Sequence, residues 1–576
     1  MASLALSAPV PGPARPGPGA APGPVRPARA LSPSGHADTF ARDHLPPRQE
    51  WPDLCFDLPG LRYPQRLNCA RELLDGSIGR FGADRPCLTD QYRVTWSYAQ
   101  VLDRVDRVAR FLVQEAGLAS GNRVLLRGPN TPWLAVCWLA VLKAGAVVVT
   151  TVPLLRPAEL RAVAERAQVQ LALCDERFDQ DWERARTGVP TVLFGPGADG
   201  GDLGRRARHL AAGFRAAATA ADDVALIAFT SGTSGVPKAT MHFHRDVLAI
   251  ADTFGAHVLR PGPDDVFAGS PPLAFTFGLG GLLVFPLRAG AQAVLLEDGS
   301  PRALFAAVPR FRITTLFTAP TAYRAVLEFA RRTDLRTLHS CVSAGEPLPE
   351  ATWRAFREAT GVRIIDGIGS TEMLHVFIAA AGDDIRPGAT GRVVPGYRAK
   401  VVDASGAAVP DGVPGLLAVQ GPTGCRYLAD PRQRTQVERG WNLTGDTCVR
   451  DADGYFWYRA RSDDMIVSSG YNIAAPEVEQ ALLLHPAVAL CAVVGVPDPR
   501  RGSVVKAFVQ PAAGARPGPE LAAELQGFVK QQIAPYKYPR VVEFVGALPH
   551  SSTGKLQRAA LRGGDARGLG ESGSPC

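Results

Sequence analysis

This chain of 576 residues has no cysteine pairs, no basic blocks and no metal-ligand spacings. Its ten cysteines lie far apart with no C-x-x-C pair. They read as small buried apolar residues in a reducing, cytoplasmic setting. The ten histidines show no spacing that would hold a metal. Net charge is +8, yet the basic residues are mostly Arg, scattered among acids. Without a Lys/Arg block, the charge predicts no nucleic-acid partner and favours small anionic ligands. No internal repeat is visible, and no continuous apolar stretch with a basic flank opens the chain. Residues 1–35 are instead dominated by Pro, Ala and Gly and read as a disordered tail, as do residues 563–576. One run, Trp133–Val152, is apolar enough to raise a membrane span, but Lys143 and Gly145 divide it. Asn130 or Thr131 caps a helix there, Pro132 opens it and Gly145 ends it, which reads as a buried helix–strand unit rather than a membrane anchor.

What is present is a long alternation of strand-like and helical patterns. A chain of this length exceeds one core, and 46% apolar residues fit a globular protein. Strand-like runs include Arg123–Arg127, Ala146–Thr151, Val224–Phe229, Ala293–Leu296 and Thr315–Phe317. Their alternation with helices predicts α/β layers and mainly parallel sheets. A more β-rich part follows around Ala399–Val402 and Leu416–Gln420.

The run Val224–Phe229 feeds directly into TSGTSGVPK, residues Thr230–Lys238. Gly232 and Gly235 allow tight turns, while Ser231, Thr233 and Ser234 offer hydroxyls and Lys238 a positive charge. Such a loop wraps a polyphosphate with backbone N–H groups and hydroxyls. It is not a Walker A loop, because Val236 and Pro237 separate the last glycine from the lysine. Further motifs follow in order: GIGSTE at Gly367–Glu372, TGD at Thr444–Asp446 and RSDDMI at Arg461–Ile466. SSGYNIAAPE at Ser468–Glu477 and STGK at Ser552–Lys555 complete the series. Over roughly residues 40–562 it resembles the acyl-adenylate-forming enzymes, which include acyl- and aryl-CoA synthetases, luciferases and peptide-synthetase adenylation domains.

The resemblance implies a large N-terminal domain, 36–461, of stacked α/β sheets plus a small barrel. A smaller, mobile α+β C-terminal domain would span 462–562. It also implies ATP, Mg²⁺ and CoA as co-substrates and cofactor, with carrier-protein phosphopantetheine as the alternative thiol. A carboxylate would attack the α-phosphate of ATP, and a thiol would then displace AMP. A monomer or homodimer without membrane partners is expected.

The family's functional residues carry over position by position. Lys555 would bridge the carboxylate and α-phosphate oxygens during adenylation. Glu372 would ligate Mg²⁺, and Thr371 would touch phosphate, together with Thr230, Ser231, Gly232, Thr233, Ser234 and Lys238. Gly345, Glu346, Asp366, Gly367 and Ile368 would surround the adenine, and Asp446 with Arg461 would hold the ribose. Ile368 departs from the tyrosine of many members, so that side of the base meets an aliphatic surface. Asp463 would be the hinge. Gly470, Arg501, Tyr536 and Lys537 would serve the CoA step. DGIGSTEMLHVF, Asp366–Phe377, resembles benzoate-type CoA ligases, and Phe40–Asp75 resembles 2-aminobenzoate-CoA ligases. Phe275, Phe277, Gly369 and Val376 would then wall an aryl pocket. His375 would stand near the carboxylate or a ring substituent, and the Thr276 hydroxyl would meet an ortho amino or hydroxyl group. Benzoate and salicylate are the alternative acids, and a catalytically inactive ligand-binding homologue is the reading from another class.

Overall fold

The apolar run around Lys143 shows how the sequence builds its core. In the computed structural model, which describes residues 30–197, 199–230, 237–327, 329–330, 333–346, 348–461, 465–549 and 561, it becomes the helix Pro132–Lys143 and the strand Val147–Thr151, both wholly buried. The Thr131 hydroxyl caps the helix by accepting from the Leu134 N–H, and Gly145 turns the chain at φ +82°. Lys143 tolerates burial because Asp75 and Asp106 hold its ammonium at 2.9 and 2.6 Å. Among the described residues, no helix is long and apolar enough to cross a membrane.

From Ser32 onward the chain forms one compact unit. A six-stranded sheet runs in the order Thr191–Phe194, Val169–Asp175, Arg123–Arg127, Val147–Thr151, Val224–Thr230, Lys238–Phe243. All its neighbours are parallel except the last pair. A nine-stranded sheet has a parallel centre of Ile364–Gly369, Ser340–Ala344, Thr315–Thr318, Val266–Gly269, Gln292–Leu295 and Pro86–Asp90, with antiparallel edges. Val148 of the first sheet and Phe267 and Phe317 of the second belong to one continuous core with the buried helix between. These are the α/β layers expected from the alternation, stacked as the family resemblance implies. The β-rich part is an antiparallel five-stranded sheet that includes Arg398–Val402, Gly415–Gln420 and Trp441–Arg450.

The chain after residue 464 builds a smaller α+β layer with its own core. Its sheet pairs Met465–Ser468, Tyr471–Ala474, Gly502–Pro511, Val488–Asp498 and Val541–Phe544. The helices Ala475–Leu483 and Pro519–Gln532 cover one face. Ala492, Val494 and Phe508 on the other face pack with Leu548 and Leu561.

The expected tail boundary moves. Ser34 and Gly35 donate to the Asp223 carboxylate at 2.6 and 2.8 Å, so these residues belong to the folded unit and not to a disordered tail. Nine cysteines are described, all free, and eight of them are buried.

Candidate functional site

The two ends of the hydroxyl-rich loop are fixed by a sheet. Thr230 pairs with Lys238 across the antiparallel strands Val224–Thr230 and Lys238–Phe243. Ser231, Gly232, Thr233 and Ser234 lie outside the described residues. The Lys238 ammonium stands 5.2 Å over the Tyr427 ring and 3.3 Å from Gln436 Oε1. The Tyr427 hydroxyl donates to Glu372 Oε1 at 2.6 Å. Burial and the Glu372 charge keep that phenol protonated. A cation and a carboxylate from segments far apart in sequence are thus assembled around one tyrosine. Beside them, His242 Nε2 donates to the Thr371 carbonyl at 2.8 Å. The imidazole leans on Asp246, which is ion-paired with Arg426, and all three side chains are fully buried. Neighbouring residues Arg426 and Tyr427 therefore brace neighbouring residues Thr371 and Glu372.

This donor set fits Mg²⁺. Magnesium takes one or two carboxylates and fills its remaining positions with phosphate oxygens and waters. Glu372 is half-buried with one oxygen held by Tyr427, and no group of three or more His, Cys, Asp or Glu side chains among the described residues forms a self-sufficient cage.

The adenine positions fall at the carboxyl ends of two adjacent parallel strands, where open α/β sheets bind ligands. Ser343 is in register with Asp366, and Ala344 with Gly367. Asp366 Oδ1 is buried without a hydrogen-bond partner among the described residues. Burial raises its carboxyl to about 8, outweighing the hydrogen bond from the Gly367 N–H. Glu346 is raised to about 7, again by burial, against a hydrogen bond from the Gly470 N–H. Gly367 has no room for a side chain, since a Cβ there would lie 2.7 Å from Val376 Cγ1. Ile368 is half-buried beside the core. Asp446 sits directly across the strand pair from Arg461, of which only the backbone is described.

At the acyl end, Phe275, Thr276 and Phe277 are half-buried at the start of a short helix, Thr276–Leu279. Gly369 is exposed and lies against the backbone of His375. Two expected pocket residues are placed differently. His375 is 2% exposed and packs among the rings of Phe254, Phe277, Phe285 and Phe317 at 4.7–6.4 Å. Burial lowers its imidazole to about 3. It is a neutral ring behind Phe277, with no charge to offer a carboxylate. Val376 is also 2% exposed and fills the space under Gly367, so it supports the wall from within.

The C-terminal layer reaches this site. Gly470, at φ +81°, lies 3.5 Å from Ala319 Cβ measured from where its own Cβ would stand, and its carbonyl oxygen lies 3.7 Å from where a Cβ on Gly345 would stand. Tyr471 meets Phe275 edge-on at 6.2 Å and stacks on Tyr536 at 4.1 Å. The Arg501 carbonyl accepts from the Ser469 N–H, which supports the same hairpin. Lys537 does not match its expected role. Its ammonium is bound to Glu159 at 2.6 Å and Glu477 at 2.5 Å and is 4% exposed, so it offers no open cation to CoA phosphates. Asp463 and Lys555 lie outside the described residues. Tyr427, Gln436, His242 and Glu159 were missed by sequence reasoning. No spacing marks them, since each matters only through a partner on another element.

A lysine at the end of a hydroxyl-rich loop, a carboxylate held beside it and the carboxyl ends of adjacent parallel strands fit the class of nucleotide-using enzymes. The chain belongs to the AMP-binding enzyme family, which matches residues 75–427, and the family's C-terminal domain matches residues 477–555. A benzoate–CoA ligase of Thauera aromatica is 34% identical over 88% of this chain and 97% of its own length. The crystal structure of the anthranilate CoA ligase AuaEII in complex with anthranoyl-AMP is 33% identical, with a TM-score of 0.68 over 88% of this chain and 99% of that one. The amide bond synthetase McbA from Marinactinospora thermotolerans has a TM-score of 0.78 at 30% identity, covering 86% and 99%.

Proposed function

We propose that 2-aminobenzoate is the acid activated by this aromatic acid:CoA ligase, an AMP-forming enzyme that uses ATP, Mg²⁺ and CoA. The observation that carries the choice of acid is Thr276, a half-buried hydroxyl-bearing residue flanked in sequence by two half-buried phenylalanines. Phe275 and Phe277 suit a flat ring, and a hydroxyl between them suits a hydrogen-bonding ortho group. Similarity to an anthranilate ligase supports the same acid.

The reaction balances in two steps. A substrate carboxylate oxygen forms a bond to the α-phosphorus, and the bond to pyrophosphate breaks. The thiol sulfur of CoA then bonds to the acyl carbon, the acyl–AMP bond breaks, and the thiol proton passes to solvent. The first step brings anion to anion, so it needs charge neutralisation and placement. Lys238 brings positive charge to the phosphate side, and Lys555 is assigned to the attacking carboxylate and α-phosphate. His242 and Tyr427 hold Thr371 and Glu372 in place. Mg²⁺, held by Glu372, supplies further neutralisation of phosphate oxygens when bound. In the second step Gly470 lines the approach of the thiol, where any side chain would narrow it.

The test is a panel of substituted benzoates assayed for AMP release with and without CoA. 2-Aminobenzoate is expected to give the highest kcat/KM. ADP and phosphate as nucleotide products would overturn the mechanism. AMP release that depends on an amine and not on CoA would favour the chemistry named for the amide bond synthetase.

A further inference from the structure

Lys537 is bound where two layers of the protein meet. Glu159 lies in the first turn of the helix Pro157–Ala167 of the N-terminal layers, while Glu477 opens the helix Ala475–Leu483 of the C-terminal layer. Both carboxylate side chains are 11% exposed, and the lysine side chain is 5% exposed. A lysine seldom gives up water unless its charge is matched, so this arrangement is specific to the docked state. A second link lies alongside. The Arg156 guanidinium donates from Nε to the Lys530 carbonyl at 2.8 Å, in the last turn of the helix Pro519–Gln532, and from Nη1 to Asp181 at 3.0 Å. A helix's final carbonyls lack partners of their own and favour a cation.

The contacts run on from there to the acyl end. Lys537 follows Tyr536, which stacks on Tyr471; Tyr471 meets Phe275, and its neighbour Gly470 meets Ala319, Gly345 and the Glu346 carboxylate. We infer that Lys537 is a positioning residue: with Glu159 and Glu477 it latches the C-terminal layer in the arrangement that holds Gly470 at the acyl site. The latch therefore acts on thioester formation and not on adenylation. Its energy is spent on one arrangement only, so removing it shifts the population away from that arrangement without touching any group at the phosphates.

This inference rests on the two-step reading above, and the experiment separates the two. Adenylation is read by exchange of labelled pyrophosphate into ATP with the acid of highest kcat/KM in the panel above. Thioester formation is read in a single turnover of the preformed adenylate of that acid with CoA. Glu159→Gln is the informative variant. Its amide oxygen still accepts the Arg156 N–H that Glu159 Oε2 accepts at 2.9 Å, so the helix start survives while the charge is removed. It is expected to slow thioester formation about tenfold or more and to leave exchange unchanged or slightly faster. Equal losses in both half-reactions, or no loss in either, would overturn the latch. So would a rise in the CoA KM for Lys537→Met with no effect of Glu159→Gln, which would return Lys537 to CoA binding. Failure of the wild type to exchange pyrophosphate would instead overturn the two-step reading itself.

Discussion

At the scale of single residues, chemistry depends on partners that sequence spacing does not reveal. Tyr427 shows this, because its hydroxyl reaches Glu372 across 55 residues of chain. Removing an outer hydrogen bond to a metal-binding carboxylate commonly costs about 10–100-fold in metal affinity. Tyr427→Phe is therefore expected to raise the Mg²⁺ concentration needed for pyrophosphate exchange by roughly tenfold or more. An unchanged Mg²⁺ titration would remove Tyr427 from this role. Thr276 is the proposed specificity residue. A hydrogen bond inside a pocket nets about 0.5–1.5 kcal/mol, so Thr276→Ala should shift relative kcat/KM from 2-aminobenzoate towards benzoate by roughly 2–13-fold. Thr276→Val keeps the shape and should show the same shift. Equal losses on every acid would make Thr276 a packing residue.

At the scale of elements, the strands were the most legible part of the sequence. Val224–Phe229 and Arg123–Arg127 are short, apolar and bounded by turn residues, and the structure extends the first only to Thr230 and leaves the second unchanged. The segment assigned to adenine was read as a motif, but its electrostatics were not legible. Asp366 looked like an ordinary acceptor, yet burial between strands raises its carboxyl from 3.8 to about 8. The sign of the linkage follows. A carboxyl raised in the folded state stabilises fully below its unfolded value, and that contribution is lost as pH rises through about 8. Asp366→Asn cannot ionise, so its melting temperature should gain on the wild type between about pH 4 and pH 8. Glu346 titrates in both proteins and cancels from the difference. A gap independent of pH would show that the carboxyl is already ionised at neutral pH. Lys537 was misread for the complementary reason. YKYPR looks like a phosphate-binding patch until Glu159, 378 residues away, is seen beside it.

At the scale of the whole molecule, the chain after residue 464 carries two segments to which different half-reactions are assigned. Gly470 lies in the turn between Met465–Ser468 and Tyr471–Ala474. Lys555 follows Leu548 in the sequence and lies outside the described residues. We therefore expect opposite defects from the two positions. Lys555→Ala should slow adenylation by about 10²–10³, the usual cost of losing one such charge, and spare thioester formation from preformed adenylate. Gly470→Leu should impair thioester formation and spare pyrophosphate exchange, because the backbone at φ +81° and Ala319 leave a side chain little freedom. Equal loss of both half-reactions in either variant would reject that division.

The Asp223 carboxylate has a consequence for how far the chain can be trimmed. It accepts from Ser34 Oγ, from the N–H groups of Gly35 and Ala220, and from Arg42, and it immediately precedes the strand that leads into the phosphate loop. Against burial, the charge of His36 and the hydrogen bonds from Ser34, Ala220 and Gly35 lower its carboxyl from the usual carboxylate range. A truncated form starting at Ser32 keeps all four donors, whereas one starting at Ala37 loses two. Hydrogen bonds to a charged group are worth about 1.5–3 kcal/mol each, so the shorter form should melt several degrees lower and bind ATP less tightly. Equal melting temperatures for the two forms would show that the seat is redundant. The minimal catalytic chain is thus expected to begin at a carboxylate's donors, several residues before the first helix.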